Sequence, residues 1–393
     1  MKKVINTFDE LEKGLILDLS VKHGQSFNDK ILINSEVLIP INLPTHFFED
    51  DGKTIRIQSI FFRDCGFYDE VRLEHNTDYI FFENCKFYKN VMAYNASFKG
   101  KVRFRNCEFF EDVNFWNASF KKLADFWSST FHKPISFYKT DFLSTTVFSS
   151  VKFIENVLFT YTLFEGKTIF GRTKFKKGLD ISQSIIAGKL QLFDLDFDID
   201  KFEAEYVGND DKKFQECVHR AHKIPLINKV ATFQILKNQF SNQGNHIDEI
   251  SMRKQEKTAF AQLMKFRKLD EDWKVNTSGD RLILWLNRWS NHYKSDFRNG
   301  IVFTLIVALI FLFLSTITTG EFWNRLCFKC EFDRDVIGFT IKSFINFLNP
   351  IHKIDYLDSL KPFFGIPYVF DFLGRIAVGY GIYQTVQAFR KYK

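Results

Sequence analysis

Apolar residues, all of them large except Ala93, recur along the middle of the chain at steps that alternate between five and six residues. They stand at positions 82, 87, 93, 98, 104, 109, 115, 120, 126, 131, 137, 142, 148, 153, 159, 164, 170, 175, 181, 186, 192 and 197. An α-helix would repeat its apolar positions at three or four residues and an alternating strand at two. A solenoid fits the ladder, because four faces of five or six residues close a coil of about 22 residues in which equivalent side chains stack.

A second register of small or aliphatic residues lies two positions before most ladder positions. Its members include Val91, Ala96, Val102, Cys107, Val113, Ala118, Ala124, Ser129, Thr140, Val151, Val157 and Thr162. A narrow core needs one large and one small inward residue on each face, with polar residues outside. Phenylalanine, which occurs 49 times in the chain, supplies most of the large positions. Cys65, Cys85 and Cys107 occupy the small register, which indicates buried thiols rather than disulfide partners.

The segments Asn95–Phe98 and Asn117–Phe120, both NASF, resemble the consensus of the pentapeptide-repeat family. The resemblance covers residues 55–200 and implies a right-handed quadrilateral β-helix. The alternating steps depart from the strict repeat of that family, and Leu73 to Phe82 is a nine-residue step that we interpret as a loop insertion. Residues 1–54 are expected to form an N-terminal cap that hides the end of the stacked coils.

Residues 201–299 are predicted to form a basic helical linker. Phe233, Leu236 and Phe240 are spaced at three and four residues, and a second helical pattern follows Gly244 and Asn245. Asn245 is a suitable N-cap for that second helix. We expect two antiparallel helices that cover the C-terminal end of the solenoid.

Residues 300–393 are predicted to form a membrane domain with two transmembrane helices. Ile301–Ile317 carries no charge and approaches the length that a bilayer core requires. The second candidate, Tyr368–Phe389, contains Asp371 and Arg375, which are costly in lipid unless they pair. Their spacing of four residues allows a pair on one helix face. An amphipathic helix lying at the membrane interface is the alternative for this second segment.

Basic residues flank both helices on one side, which predicts cytoplasmic N- and C-termini and an extracytoplasmic loop, Gly320–Pro362. The start of the chain shows no pattern of a cleaved signal sequence. Thr232–Lys237, Asn349-Pro350 and Tyr383–Lys391 resemble segments of bacterial pentapeptide-repeat membrane proteins. That resemblance implies the cell inner membrane, and it extends to relatives with ion-channel-like C-termini.

The distribution of charge along the chain bears on whether its partner is anionic lipid or nucleic acid. Residues 217–300 carry a basic excess and lead into the first apolar helix, which favours anionic lipid headgroups over nucleic acid. The solenoid is nearly neutral, whereas pentapeptide proteins that mimic DNA are strongly acidic. No nucleic-acid partner is therefore expected.

Short motifs in the membrane domain suggest channel or metal chemistry. Val378–Gly381, VGYG, matches the core of a potassium filter, but too little chain follows it for an inner helix. Phe339–Leu348 is expected to form a short helix that either dips into the membrane or lies on it, stopped by Pro350. Cys327 and Cys330 form a lone CxxC, which suggests a disulfide or two free thiols rather than zinc.

Two further motifs lie outside the membrane domain. Gly52-Lys53-Thr54 and Gly166-Lys167-Thr168 lack the preceding glycine of a phosphate-binding loop. Glu216, His219 and His222 stand three residues apart on a predicted helix, where they are either metal ligands or a solvated face, and the solvated face is preferred because the spacing matches no recognised site.

The sequence therefore predicts a membrane-anchored scaffold or protein-interaction module at the cytoplasmic face, with no enzymatic activity, cofactor or metal. Its expected partners are membrane lipid, a protein that the sequence does not identify, and further copies of the chain. The alternative is an oligomeric channel or pore-forming effector in a defence or stress response, with the β-helix as sensor. That alternative uses the polar pair Asp371 and Arg375 and the candidate pore-lining residues Thr304, Ser315 and Thr316.

Overall fold

A computed structural model describes residues 2–17, 29–43, 59–73, 79–269, 278–325, 334–358, 360, 362 and 364–390. The described residues of 1–243, together with Leu269, form one compact unit, and those of 244–268 and 273–393 form a second. Cys327 and Cys330 lie outside the described residues, as do Gly52-Lys53-Thr54 and residues 74–78 of the predicted loop insertion.

The first unit is built from short strands. They are β1 Lys3–Ile5, β2 Ile16–Leu17, β3 Asp29–Ile33, β4 Ser35–Val37, β5 Ile41–Leu43, β6 Ser59–Arg63, β7 Gly66–Phe67, β8 Val71–Leu73, β9 Tyr79–Glu83, β10 Lys86–Phe87, β11 Val91–Met92, β12 Ser97–Phe98, β13 Val102–Arg105, β14 Glu108–Phe109, β15 Val113–Asn114, β16 Ser119–Phe120, β17 Ala124–Asp125, β18 Thr130–Phe131, β19 Ile135–Ser136, β20 Asp141–Phe142, β21 Thr146–Val147, β22 Lys152–Phe153, β23 Val157–Leu158, β24 Leu163–Phe164, β25 Thr168–Gly171, β26 Lys174–Phe175, β27 Leu179–Asp180, β28 Ile185–Ile186, β29 Leu190–Phe193 and β30 Asp196–Phe197.

These strands form the four parallel sheets of a solenoid. Their orders are β1-β4-β7-β10-β14-β18-β22-β26-β30, β2-β3-β6-β9-β13-β17-β21-β25-β29, β5-β8-β11-β15-β19-β23-β27 and β12-β16-β20-β24-β28. The pairing of β2 with β3 is antiparallel. From β10 onward equivalent residues lie 22 positions apart, as in the pairs Lys86↔Glu108 and Glu108↔Thr130. The predicted β-solenoid with coils of about 22 residues is confirmed, whereas its right-handed winding stays a prediction.

Parallel stacking begins ahead of the phenylalanine ladder. Strands β3, β4 and β5, which lie in the segment that the sequence analysis assigns to an N-terminal cap, pair in parallel with β6, β7 and β8. The offset there is 30 residues, as in Asp29↔Ser59, and it shortens to 20 in Ser59↔Tyr79. The apolar side chains that this coil buries are aliphatic, such as Leu32 and Val37.

The ladder residues form the interior. Phe82, Phe104, Phe126 and Phe148 are all buried, and each ring stacks on the next at 5.0 to 5.7 Å between centroids. Polar side chains in the small register donate hydrogen bonds to the preceding coil. Ser129 Oγ, for example, donates to the carbonyl of Phe104 at 2.7 Å. Cys65, Cys85 and Cys107 are buried free thiols, as predicted, and burial raises the pKa of the Cys85 thiol.

The alternating steps reflect two kinds of corner. On the five-residue steps from Phe82 through Phe175, the residue two positions after the ladder residue has a left-handed backbone, whereas Gln183 on the step after Ile181 does not. Such residues recur every eleven positions, at Asn84, Asn95, Asn106, Asn117, Ser128, Lys139, Ser150, Tyr161 and Arg172. Asparagine tolerates this conformation better than most residues, and Asn106 Nδ2 also donates to Asn84 Oδ1 at 3.1 Å. The corners are therefore regular, and the six-residue steps turn without a left-handed residue.

The helices of the chain are α1 Phe8–Gly14, α2 Asp211–Gln215, α3 Leu226–Asn242, α4 His246–Leu269, α5 Ser278–Asn291, α6 Phe297–Ile317, α7 Gly320–Arg325, α8 Arg334–Phe347, α9 Asp355–Asp358 and α10 Ile366–Phe389. A 3-10 turn at Ile199–Lys201 and a π-helical turn at Glu216–Arg220 complete the set. Asn245 Oδ1 accepts from the backbone N–H of Asp248 at 3.2 Å, so Asn245 starts α4 as the sequence predicts.

Helix α3 closes the C-terminal end of the solenoid. Phe233 is buried there beside Phe197, with 6.3 Å between ring centroids. Asn228 Nδ2 donates at 2.8 Å to the buried carboxylate of Asp180 in β27. The helix of the linker that lies in the first unit thus covers the last coil. The predicted pairing of α3 with an antiparallel second helix stays a prediction, because α4 belongs to the second unit.

In the second unit α6 and α10 pack as an antiparallel pair. The Phe297 ring at the start of α6 stacks on Phe389 at the end of α10, with centroids 4.6 Å apart. Gly381 allows the close approach, because a Cβ there would lie 2.3 Å from Thr304 Oγ1. Within the described part of the chain, α6 is the one helix long and apolar enough to cross a membrane. The second predicted span, in α10, does not meet that criterion and stays a prediction.

Candidate functional site

A cleft of about 500 Å³ lies on one wall of the solenoid, within the first unit. Its floor is the outer face of β11, β15 and β19, and its lining residues are Asn90, Met92, Asp112, Val113, Asn114, Trp116, Pro134, Ser136, Tyr138, His219 and His222. The two histidines come from the turn after α2, so a solenoid wall and a helical segment together enclose the cleft.

Two aromatic residues that line this cleft, Trp116 and Tyr138, belong to a column of rings on the wall. Tyr94, Trp116 and Tyr138 follow ladder positions in successive coils, so they fall in one column with 5.1 and 5.8 Å between neighbouring centroids. Trp116 remains 45% exposed. Aromatic side chains that are held in place but solvated offer large contact area at little entropic cost, which is why such residues are common in protein interfaces.

The histidines are held against the wall. The His219 ring contacts Tyr138 edge-on at 4.5 Å between centroids. Asn156 Nδ2 donates to the backbone carbonyl of His222 at 3.0 Å, which fixes the turn to the solenoid. Glu216 lies in the π-helical turn and is exposed. Among the described residues no group of three or more His, Cys, Asp or Glu is arranged to hold a metal.

Both histidines have depressed pKa values. Burial lowers the pKa of His219, and repulsion from His222 and Lys139 adds to the effect. Burial also lowers the pKa of His222, against the opposing attraction of Asp112. The cleft is consequently lined by neutral imidazoles near neutral pH.

The second unit contains a buried polar cluster around Asp371. The carboxylate is fully buried, and Arg375 Nε donates to its Oδ2 at 2.7 Å. His352 Nε2 and the hydroxyl of Tyr356 both lie 2.8 Å from the other oxygen, Oδ1. Arg375 thus faces Asp371 across one helical turn, and two side chains from the segment before α10 complete the shell of the carboxylate.

The candidate pore-lining residues Thr304, Ser315 and Thr316 all lie on α6. Thr304 and Ser315 are buried. The hydroxyl of Thr304 donates to Gly300 O at 2.8 Å, and those of Ser315 and Thr316 donate to Leu312 O at 2.9 Å. Each hydroxyl is therefore satisfied by its own helix in the single chain, and a pore-lining role stays a prediction.

The filter-like motif Val378–Gly381 lies inside the continuous helix α10. Its backbone carbonyls follow the helix axis and do not converge on a loop, which agrees with the rejection of a potassium filter. The short helix predicted at Phe339–Leu348 is present as α8, which ends before Asn349. Phe347 packs with Ala308, Leu312 and Val378 into the core between helices.

Sequence reasoning missed several of these residues. His352 and Tyr356 precede Asp371 by 19 and 15 positions, His352 in an irregular segment and Tyr356 in the short helix α9, so no periodic signal connects them to it. Trp116 and Tyr138 carried a signal, because each follows a ladder residue at the coil spacing. The contact of His219 with Tyr138 depends on tertiary packing alone.

Residues 82–130 match the family model described as pentapeptide repeats (9 copies). This match supports the assignment of the solenoid to that repeat family. No curated protein matches the chain, and no solved structure does.

Proposed function

We propose that this protein is a membrane-anchored pentapeptide-repeat scaffold that binds a protein partner on a solenoid wall at the cytoplasmic face of the bacterial inner membrane. The observation that carries the proposal is the aromatic-rimmed cleft of Trp116, Tyr138 and His219. Pentapeptide-repeat solenoids are rigid stacks that typically serve as structural or interaction modules, and a repeated wall suits recognition of an extended surface.

Exposed apolar side chains support membrane anchoring. Only 39% of the most apolar 18-residue stretch of α6 is buried inside the protein. Leu309 and Phe313 on α6, and Phe372 and Ile376 on α10, are exposed. A soluble protein rarely leaves so continuous an apolar surface in water. Lipid around both helices would cover it, and the antiparallel packing would place the basic flanks at one membrane face.

Trp127 supplies a matched control for the binding wall. It is 41% exposed, and its local geometry matches that of Trp116, because the backbone N–H of each tryptophan donates to a side-chain oxygen two residues earlier, at 3.1 and 2.8 Å. The two tryptophans differ in the sheet that they follow, because Trp116 follows β15 and Trp127 follows β17.

The test places a photo-crosslinking residue at position 116 or 127 of the full chain in its own cells. We expect a discrete crosslinked protein from position 116 that is lost when Tyr138→Ala is added, and none from position 127. Equal crosslinking from both positions, or none from either, rejects the binding wall. Alkaline extraction of the full chain and of a chain truncated before Gly300 tests anchoring separately, since only the full chain should remain in membranes.

The fully buried carboxylate of Asp371 favours a second candidate function, an oligomeric channel. An ionisable group inside a membrane domain commonly marks an ion or proton path. Ion flux through liposomes that contain the full chain should then fall in the Asp371→Ala, Arg375→Ala variant. Absence of flux from fully inserted protein rejects the channel and leaves the scaffold.

A further inference from the structure

Two adjoining clefts of about 410 and 260 Å³ lie in the second unit where α4, α5 and α10 meet. They share Arg253, Lys294 and Gln387. Lys257 lines the larger cleft and Arg390 the smaller, whereas the carboxylates that line them are Asp280 and Glu249. Cationic side chains therefore outnumber acidic ones in the lining.

The charges of this region are incompletely paired. Arg253 Nη2 pairs with Glu249, which His246 also approaches at 3.3 Å. Nε of Arg253 is buried and has no hydrogen-bond partner within the described ranges. Burial lowers the pKa of Lys294, and repulsion from Arg253 adds to this effect while Glu249 opposes it. Lys257 pairs with Glu256 at 3.6 Å, which leaves Glu249 as the carboxylate that acts on both Arg253 and Lys294. An anion between Arg253 and Lys294 would relieve their repulsion.

A strained turn holds Lys294 in position. His292, Tyr293 and Lys294 all have left-handed backbones, with φ values of 50°, 61° and 73°. Three consecutive residues of this kind are rare, and such strain persists where surrounding contacts enforce it, often at ligand sites. Here Asn291 Oδ1 accepts from the N–H of Lys294 at 2.9 Å, and buried Asn291 donates to the carbonyl of Gln384 in α10 at 3.3 Å.

An exposed apolar surface adjoins the cations. Helix α5 leaves Leu282, Ile283, Trp285 and Trp289 about half exposed or more, and Ile283 also lines the larger cleft. Tryptophan on an amphipathic helix is typical of the membrane interface. A ligand that bridges the cations and this surface needs an anionic head and an apolar tail.

We propose that this basic cleft, defined by Arg253, Lys294 and Gln387, binds the phosphate headgroup of an anionic phospholipid whose acyl chains lie along α5. The proposal rests on the membrane anchoring proposed above. The phosphate accepts hydrogen bonds from Arg253 and Lys294, and the amide of Gln387 stands beside them. The basic residues before the first apolar helix then bind the lipid headgroup at a defined site, and not only through diffuse electrostatic attraction to the membrane.

The test uses the detergent-solubilised full chain and follows tryptophan fluorescence during titration with short-chain phosphatidylglycerol, short-chain phosphatidylcholine or inorganic phosphate. We expect tightest binding of phosphatidylglycerol. The variant Arg253→Gln, Lys294→Gln should bind it about tenfold or more weakly, because each basic group near an anionic headgroup contributes substantially to affinity. The charge-retaining variant Arg253→Lys, Lys294→Arg should keep most of the affinity and shows that loss in the glutamine variant is not misfolding.

The control variant Lys265→Gln, Lys342→Gln removes the same charge from exposed positions that line neither cleft. An equal loss in this control would show diffuse attraction and overturn the proposal. Equal binding of phosphatidylcholine would overturn it too, as would inorganic phosphate binding as tightly as the lipid. Alkaline extraction of wild-type membranes is scored independently, so failed anchoring and failed headgroup recognition give different results.

Discussion

Asn228 of α3 donates from Nδ2 to the buried carboxylate of Asp180 in the solenoid at 2.8 Å. Thr232, one turn along the same helix, accepts from the N–H of Ile181 at 3.2 Å. Asp180 is nearly inaccessible to water, so its carboxylate oxygens need donors from the protein, and the N–H and hydroxyl of Ser182 supply two more at 2.9 and 2.6 Å. The cap helix and the last coil are therefore joined by specific polar contacts as well as by apolar packing.

Replacing Asp180 with Ala should loosen the cap. It leaves Asn228 without its acceptor in a buried site, at a cost of about 1–3 kcal/mol. Hydrogen exchange of the full chain should report faster exchange in Leu226–Asn242 and Leu190–Phe193, with the early coils unchanged. Glu165→Ala, which removes an exposed carboxylate from an earlier coil, is the control. Unchanged protection of α3 would show that apolar packing alone holds the cap.

The two kinds of corner lead us to expect opposite effects on stability when two neighbouring serines are replaced by glycine. Ser150 has a φ of 59°, whereas Ser149 lies outside the left-handed set. A left-handed backbone costs a non-glycine residue about 1–2 kcal/mol, so Ser150→Gly should stabilise the solenoid by about 1 kcal/mol. Ser149→Gly should destabilise it by about 0.5–1 kcal/mol, because glycine gains freedom in the unfolded chain. Thermal unfolding of both variants checks the opposite signs, and a common sign contradicts the two-corner description.

Sequence reasoning predicted the solenoid well because a strict repeat places one residue type at each wall position. The side chains of Phe104 and Phe126 are buried and stacked where the ladder places them. The sequence also shows the alternating steps, but it does not show their cause, the left-handed backbone at the corners. Lys139 and Arg172 adopt that conformation although neither residue type is typical of it. The Asp371 cluster was half predicted: Arg375 follows from helical spacing, whereas His352 reaches the carboxylate from an irregular segment.

The His219 and His222 pair should make the cleft sensitive to acid. Both pKa values lie below that of a free histidine, so the unfolded turn binds protons more readily than the folded turn. Their contribution to stability is present above pH 6.5 and is lost as the pH falls through their lowered folded values. After correction for intrinsic rates, hydrogen exchange in residues 216–222 should be faster at pH 5.5 than at pH 7.5.

A His219→Gln, His222→Gln variant provides the control for this pH effect, because it keeps polar side chains and removes the titration. Exchange in the turn should then no longer change between the two pH values. A pH effect that persists in this variant would contradict the assignment of the sensitivity to the two histidines.

The Asp371 cluster yields the last prediction. Removing one partner of a buried ion pair commonly costs about 3–5 kcal/mol, because the remaining charge keeps its desolvation cost and loses its attraction. Asp371→Ala should therefore destabilise the second unit strongly, as it strands Arg375 and removes the acceptor for the Tyr356 hydroxyl. Adding Arg375→Ala should restore part of the loss, since no buried charge is then left.

Thermal unfolding of the wild type, both single variants and the double variant in detergent measures the coupling. Arg298→Ala, at an exposed position on α6, should leave the unfolding temperature nearly unchanged. Strictly additive single and double variants would mean that the 2.7 Å contact between Arg375 and Asp371 contributes no net stability, and the cluster would then have to be explained by function rather than by folding.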